Sequence, residues 1–192
     1  MKDKNNIPAD LNSGEIVQGL EGVEIVQISC GDYHAAAVDV DGNLYTWGGG
    51  KTKQYNKGQC GHGKTELQVK PQRVEALAHK RISKVACGAF HTLALTEDKE
   101  LYTFGSGSSG ECGHGDNKDT LVPKLLSIPK EKKTAVAKQD KLMKELLKEK
   151  DNKLKNFVEE AASIIDIAAG GKHSIVLTGQ GSVYTFGFGD QG

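Results

Sequence analysis

An all-β fold built from tandem four-stranded sheets, the blades of a β-propeller, is predicted for this chain of 192 residues by three observations. Ile25 to Gly48, Ile82 to Gly105 and Ile164 to Gly187 align without a gap, so that Gly31, Gly88 and Gly170, and likewise His34, His91 and His173, are offset by 57 and then 82. Within each copy, short apolar runs are punctuated by glycine and turn residues, the pattern of closely spaced strands rather than of helices. A further strand-like run recurs once per unit, and four strands at a period of 52 to 57 residues is the spacing of blades.

Each copy opens on an apolar strand such as Ile82 to Cys87, ended by a glycine that can take backbone angles closed to other residues. The second strand alternates, with His91, Leu93 and Leu95 on one face and Thr92 and Ala94 on the other. Asp41-Gly42 and Gln180-Gly181 supply hairpin turns, Asp98-Lys99 is a weaker one, and LYTWG, LYTFG and VYTFG are β-rich third strands. The fourth strand is placed around Arg73 to Ala76 and Lys124 to Ser127, with Glu15 to Gln18 a fainter counterpart. The repeats then divide at about 14–58, 59–110 and 111–192, behind an N-terminal tail of residues 1–13.

Repetition decides how several motifs are read. Cys60 and His62, and Cys112 and His114, have the side chains of a zinc site, but the two strings stand 52 residues apart, as do Pro71 and Pro123. They therefore occupy equivalent turns of successive blades. A tetrahedral site needs its ligands ~2.0 to 2.3 Å from one ion, which a blade's width forbids. No metal is expected, and each cysteine is read as a small apolar side chain. GSGSSG at 105–110 fits a dinucleotide-binding loop, yet GFGDQG at 187–192 fits it in register, and ECGHGDNKD rather than a helix follows the first. No cofactor is expected. His34, His91 and His173 share strand faces with apolar residues and recur once per repeat, which is a structural pattern, a ring nitrogen bonded to backbone. Nothing supplies a nucleophile, a base and an orienting group together, so no catalytic residue is assigned and no enzyme is expected.

The pattern G-x-x-H, alternating apolar residues, L/V-Y-T-W/F-G and a glycine-rich turn ending G-x-x-G is carried by Gly31, His34, Tyr45, Trp47 and Gly48 in the first copy. Gly88, His91, Tyr102, Phe104, Gly105, Gly110 and Gly113 carry it in the second, and Gly170, His173, Tyr184, Phe186, Gly187 and Gly192 in the third. It resembles the repeats of the regulator of chromosome condensation family over about 14–129 and 163–192. Family turns usually read Gly-Gln-Leu-Gly, where this chain has Gly58-Gln59-Cys60-Gly61 and Gly110-Glu111-Cys112-Gly113. The resemblance implies part of a seven-bladed propeller, about three blades of it, with the remaining blades expected from a longer chain. It also implies a rigid ring that presents loops to other proteins. Relatives are scaffold domains of ubiquitin ligases, kinases and ciliary proteins, and the founding member is a guanine-nucleotide exchange factor for the Ran GTPase. A single tryptophan, Trp47, argues against the light sensing of a tryptophan-rich plant relative.

Two segments depart from the repeat. The turn from Gly48 to Gly58 is five residues longer than that from Gly105 to Gly110, and the inserted GGKTKQYNK carries Lys51, Lys53 and Tyr55, as a contact loop or as solvated filler. Between the second and third copies, a stretch rich in helix formers predicts a helical insertion over 130–162. Its apolar residues, among them Leu146, Leu147 and Phe157, fall at helical spacing, a stripe that either lies against the propeller or docks a partner. Its lysines are not interleaved with arginine, and Phe157 is its one aromatic, so nucleic-acid binding is not indicated. Over the whole chain 25 basic residues balance 25 acidic ones, which gives no net pull toward nucleic acid or an anionic membrane. No run approaches the ~18 apolar residues of a spanning helix, MKDKNNIPADLNSG has no secretory apolar stretch, and four cysteines make no disulfide framework. An intracellular protein, cytoplasmic, nuclear or ciliary, is expected, and its partners are other proteins, with a small GTPase as one candidate.

Overall fold

The computed structural model describes residues 16–50, 52–128 and 163–189; Lys51, Leu146, Leu147, Phe157 and the whole predicted insertion lie outside them. Among the described residues, eleven strands form three antiparallel sheets. The first sheet holds β1 (Ile25–Cys30), β2 (His34–Asp39), β3 (Leu44–Gly48) and β4 (Gln68–Arg73), in that spatial order. The second repeats it with β5 (Ile82–Cys87), β6 (His91–Thr96), β7 (Leu101–Gly105) and β8 (Thr120–Leu126), and the third holds β9 (Ile164–Ala169), β10 (His173–Thr178) and β11 (Val183–Gly187).

The repeat extends to its irregularities. In all three sheets the pairing of the first strand to the second slips by one residue at the same place, leaving Val26, Ser83 and Ile165 out of register. A bulge of this kind sharpens the local twist. All three hairpins close with a residue at positive φ, namely Gly42, Gly181 and, in the middle copy, Lys99 at 66°. The outer strands begin earlier than the sequence indicates, because their register is set by pairing to β3 and β7 rather than by their own weak alternation. Ile16 to Gln18 forms no strand. The sheets consequently run 25–73, 82–126 and 164–187, so the first two contain their glycine-rich turns. Pro71 and Pro123 sit within β4 and β8, edge strands among the described residues, where a missing N–H costs no ladder bond.

Two apolar clusters lie between neighbouring sheets. Ala36, Val38 and Leu44 of the first sheet meet Ile82, Val85, Cys87 and Phe104 of the second, with Val74 and Leu77 of the connection. Leu93, Leu95, Leu101 and Leu126 then meet Ile164 and Val176. The first and second sheets each bury an apolar face against the next one in sequence, as blades do around an axis. The inner strands are also tied laterally. The Gln27 side chain accepts from the Val85 N–H at 3.0 Å, and Lys84 pairs with Asp166 at 2.9 Å.

Candidate functional site

The three repeat histidines stand at the start of β2, β6 and β10, and two of them form the polar seam between sheets. Thr92 Oγ1 donates to the Gln59 carbonyl at 2.8 Å and lies 2.7 Å from His34 Nε2. A hydroxyl has one proton, so His34 Nε2–H must be the donor to it. The next seam repeats the relay, with Ser174 Oγ donating to the Glu111 carbonyl at 2.8 Å and lying 2.9 Å from His91 Nε2. That tautomer leaves Nδ1 of His34 and of His91 buried with no hydrogen-bond partner. Burial, with a smaller push from His91, holds the His34 pKa down at about 3. Burial likewise lowers that of His91 to about 4, against a partial upward pull from Glu111. Both are neutral imidazoles. His173 has no following sheet over it among the described residues and is exposed.

The glycine of G-x-x-H is explained by the same ring. A Cβ on Gly31 would lie 2.0 Å from the Gly88 carbonyl oxygen and 2.8 Å from His34 Cε1. Gly48, Gly105 and Gly187 pair across the strands with the three histidines and have φ between 107° and 120°, in the left-handed region. Trp47 is half-buried, whereas Phe104 and Phe186 are packed under Gly61 and Gly113 of the preceding sheet's turn.

The two CGHG strings each serve their own sheet. Thr46 Oγ1 donates to the Cys60 carbonyl at 2.6 Å and accepts from His62 Nε2 at 2.9 Å; Thr103 does the same for Cys112, at 2.7 Å, and His114, at 2.9 Å. Burial pushes the thiols of Cys60 and Cys112 up to about 12, so neither is a thiolate near neutrality.

Described residues of the inserted loop are tied down by hydrogen bonds and ring contacts. Buried Asn56 donates from Nδ2 to the carbonyls of Gly50, at 2.5 Å, and Thr52, at 3.1 Å, and Gln59 Nε2 donates to the Tyr55 carbonyl at 2.7 Å. A one-turn 3-10 segment, Lys53–Tyr55, then lays the Tyr55 ring on Tyr33, with centroids 4.8 Å apart. Tyr33 stacks in turn on Phe90 of the second sheet at 4.7 Å. The loop's aromatic residue is thus part of a three-ring cluster across two sheets.

Reading the sequence found Tyr55 but not Tyr33 or Phe90, which are the residues before the repeat histidines. It also missed Thr92 and Ser174, the residues after them. The available signal was position relative to the histidine; what was missing was the knowledge that this position faces the neighbouring sheet. Thr92→Val keeps the shape but strands the His34 N–H and the Gln59 carbonyl in the interior. It is expected to lower the unfolding free energy in urea by about 2 to 4 kcal/mol, with no comparable loss for the exposed Thr52→Val.

Two family models, both described as the regulator of chromosome condensation (RCC1) repeat, match the chain, one over residues 41–95 and 98–138 and the other over 25–54, 82–111 and 164–192. The Ultraviolet-B receptor UVR8 of Arabidopsis thaliana is 33% identical over 184 residues, covering 96% of this chain and 34% of the receptor. Human E3 ubiquitin-protein ligase HERC2 is 31% identical over 188 residues, covering 97% of this chain and 3% of the ligase. Among solved structures, Prp20p of Saccharomyces cerevisiae, whose binding properties to Gsp1p and histones are described with it, superimposes with a TM-score of 0.61 at 24% identity, over 91% of this chain and 33% of that one. The chain spans about a third of the length of the receptor it matches.

Proposed function

Because this chain belongs to the regulator of chromosome condensation (RCC1) repeat family, we propose that it acts as a non-enzymatic protein–protein interaction scaffold, with contacts made by its blade turns and by the insertion at 130–162. The observation that carries this reading is the lengthened turn. Its Asn56 and Gln59 hydrogen bonds and its Tyr55 stack fix a loop that the repeat itself does not require. Residues already held in place lose little entropy on binding. The residues with chemical potential elsewhere, His34, His91, Cys60 and Cys112, are turned inward and occupied in the fold. Lys51, Lys53 and Tyr55 are the contact residues of the turn, and Leu146, Leu147 and Phe157 those of the insertion. Four cysteines, all free thiols, agree with an intracellular setting, cytoplasmic or nuclear.

Guanine-nucleotide exchange on a Ran-type small GTPase is the second reading, favoured by the described binding of Prp20p to Gsp1p. An exchange factor accelerates nucleotide loss by binding the empty GTPase more tightly than the loaded one. The two separate in one pair of measurements. Under the scaffold reading, a stoichiometric protein partner is captured by the chain and lost when residues 49–57 are replaced by the short turn of the second repeat, while GDP release from a Ran-type GTPase is unchanged. Release accelerated about tenfold or more, a barrier lowered by at least about 1.4 kcal/mol, would replace the scaffold reading by the exchange reading.

A further inference from the structure

We propose that the Tyr33, Tyr55 and Phe90 cluster is a docking platform for an arginine side chain of a partner protein, a recognition chemistry that rests on the scaffold reading above. The rings are nearly parallel, with interplanar angles of 16° to 19° and centroids 4.7, 4.8 and 6.5 Å apart. Such rings form an offset stack rather than enclosing a cage, and Tyr33 is its most exposed member. Tyr33 is 37% exposed, and within the described residues neither tyrosine hydroxyl makes a hydrogen bond. A flat π-surface at a wet edge takes a planar, weakly hydrated cation better than a compact, strongly hydrated ammonium.

The molecule contains a version of this contact made by its own chain. In the third sheet the position of Tyr33 and Phe90, directly before the repeat histidine, is filled by Lys172. Its Nζ lies 5.6 Å from the centroid of Phe188, which follows Gly187 as Gly49 follows Gly48. That stretch of the face therefore carries an internal cation on a ring. The first two sheets present rings without one, since Lys172 over Phe188 makes the only such contact among the described residues. Beside Tyr33, on the same bend, stands Asp32, exposed and in no ion pair among the described residues. A carboxylate next to the exposed Tyr33 ring complements a cation and repels a phosphate. It thus favours an arginine-bearing segment over single-stranded nucleic acid stacking its bases.

The test titrates the whole chain with the capped pentapeptide Gly-Ser-Arg-Ser-Gly, with its lysine and citrulline counterparts and with oligothymidylate, following the Tyr33 ring protons by NMR. The arginine peptide is expected to shift them saturably and about fivefold or more tightly than the lysine and citrulline peptides. Tyr33→Leu, read on the remaining Tyr55 and Phe90 ring protons, should abolish the response, and the surface change Asp32→Asn should weaken it severalfold even if the tyrosine variant proves poorly folded. No saturable shift, equal response to citrulline, or tighter binding of oligothymidylate would each overturn the proposal. Partner capture by the loop does not depend on this result, so the scaffold reading fails or stands separately.

Discussion

Gly88→Ala is expected to lower the unfolding free energy by about 3 kcal/mol or more, whereas Gly171→Ala, a glycine at a matching bend, should change it by less than about 0.5 kcal/mol. The difference is one of space. A Cβ at Gly88 would stand 2.1 Å from Cε1 and 2.4 Å from Nδ1 of His91, and 2.6 Å from the Gly170 carbonyl oxygen of the following sheet. Relief would require the His91 ring to swing out. That would break its bond to Ser174 and uncover an interior position that is otherwise closed to solvent. The second obstacle is backbone, which cannot swing at all without separating the sheets. A Cβ at Gly171 meets nothing within 4 Å, and its φ lies outside the left-handed region. Urea titration of the two variants, followed by circular dichroism, measures both changes. Similar losses for the two would mean that glycine is kept at these bends for chain flexibility and not for the approach of the ring.

That contrast marks how far the sequence could be read. The three gap-free copies define the first three strands of every sheet, and the offset of 52 shared by the Cys60/Cys112, His62/His114 and Pro71/Pro123 pairs separates the two CGHG strings into different turns, as the sheets do. Strand and turn are local properties, written in alternation and in glycine placement. The seam is not local. His34 meets a residue 58 positions away and His91 one 83 positions away, so no window around either histidine reveals that its neighbour across the seam is a hydroxyl. The same holds for Tyr55, whose partners Tyr33 and Phe90 come from bends of two sheets. The outer strands begin several residues before the position their own residues suggest, for a related reason. On β4 the exposed Val69 and the edge Pro71 blur the alternation, and only pairing to Tyr45 and Thr46 fixes where the strand lies.

Acid should unfold this protein well above the pH at which carboxylates titrate. His34 and His91 have folded pKa values of about 3 and about 4, against an ordinary value of 6.5. Below pH 6.5 the unfolded chain therefore takes up two protons that the folded chain refuses. Stability rises with pH wherever the unfolded state binds more protons, so on acidification it falls. The loss begins at the unfolded value and levels off only below about pH 4 for His91 and about pH 3 for His34. At ~1.4 kcal/mol per pH unit for each histidine, the two together remove about 3 kcal/mol between pH 6.5 and 5. Half-buried His62 and His114, lowered by desolvation, act in the same sense. Asp166 and Glu100, whose pKa values are depressed by hydrogen bonds from Lys84 and Lys80, contribute stability that is lost only further down in pH, through the carboxylate range. The interval from pH 6.5 to 5 therefore isolates the imidazoles. His91→Gln supplies the control, because its amide N–H can still donate to Ser174 but cannot titrate. Its stability should fall about 1.5 kcal/mol less than that of the parent chain over this interval. Parallel pH profiles for the two would show that His91 takes up its proton without leaving the seam, and that the relay through Ser174 tolerates a charge.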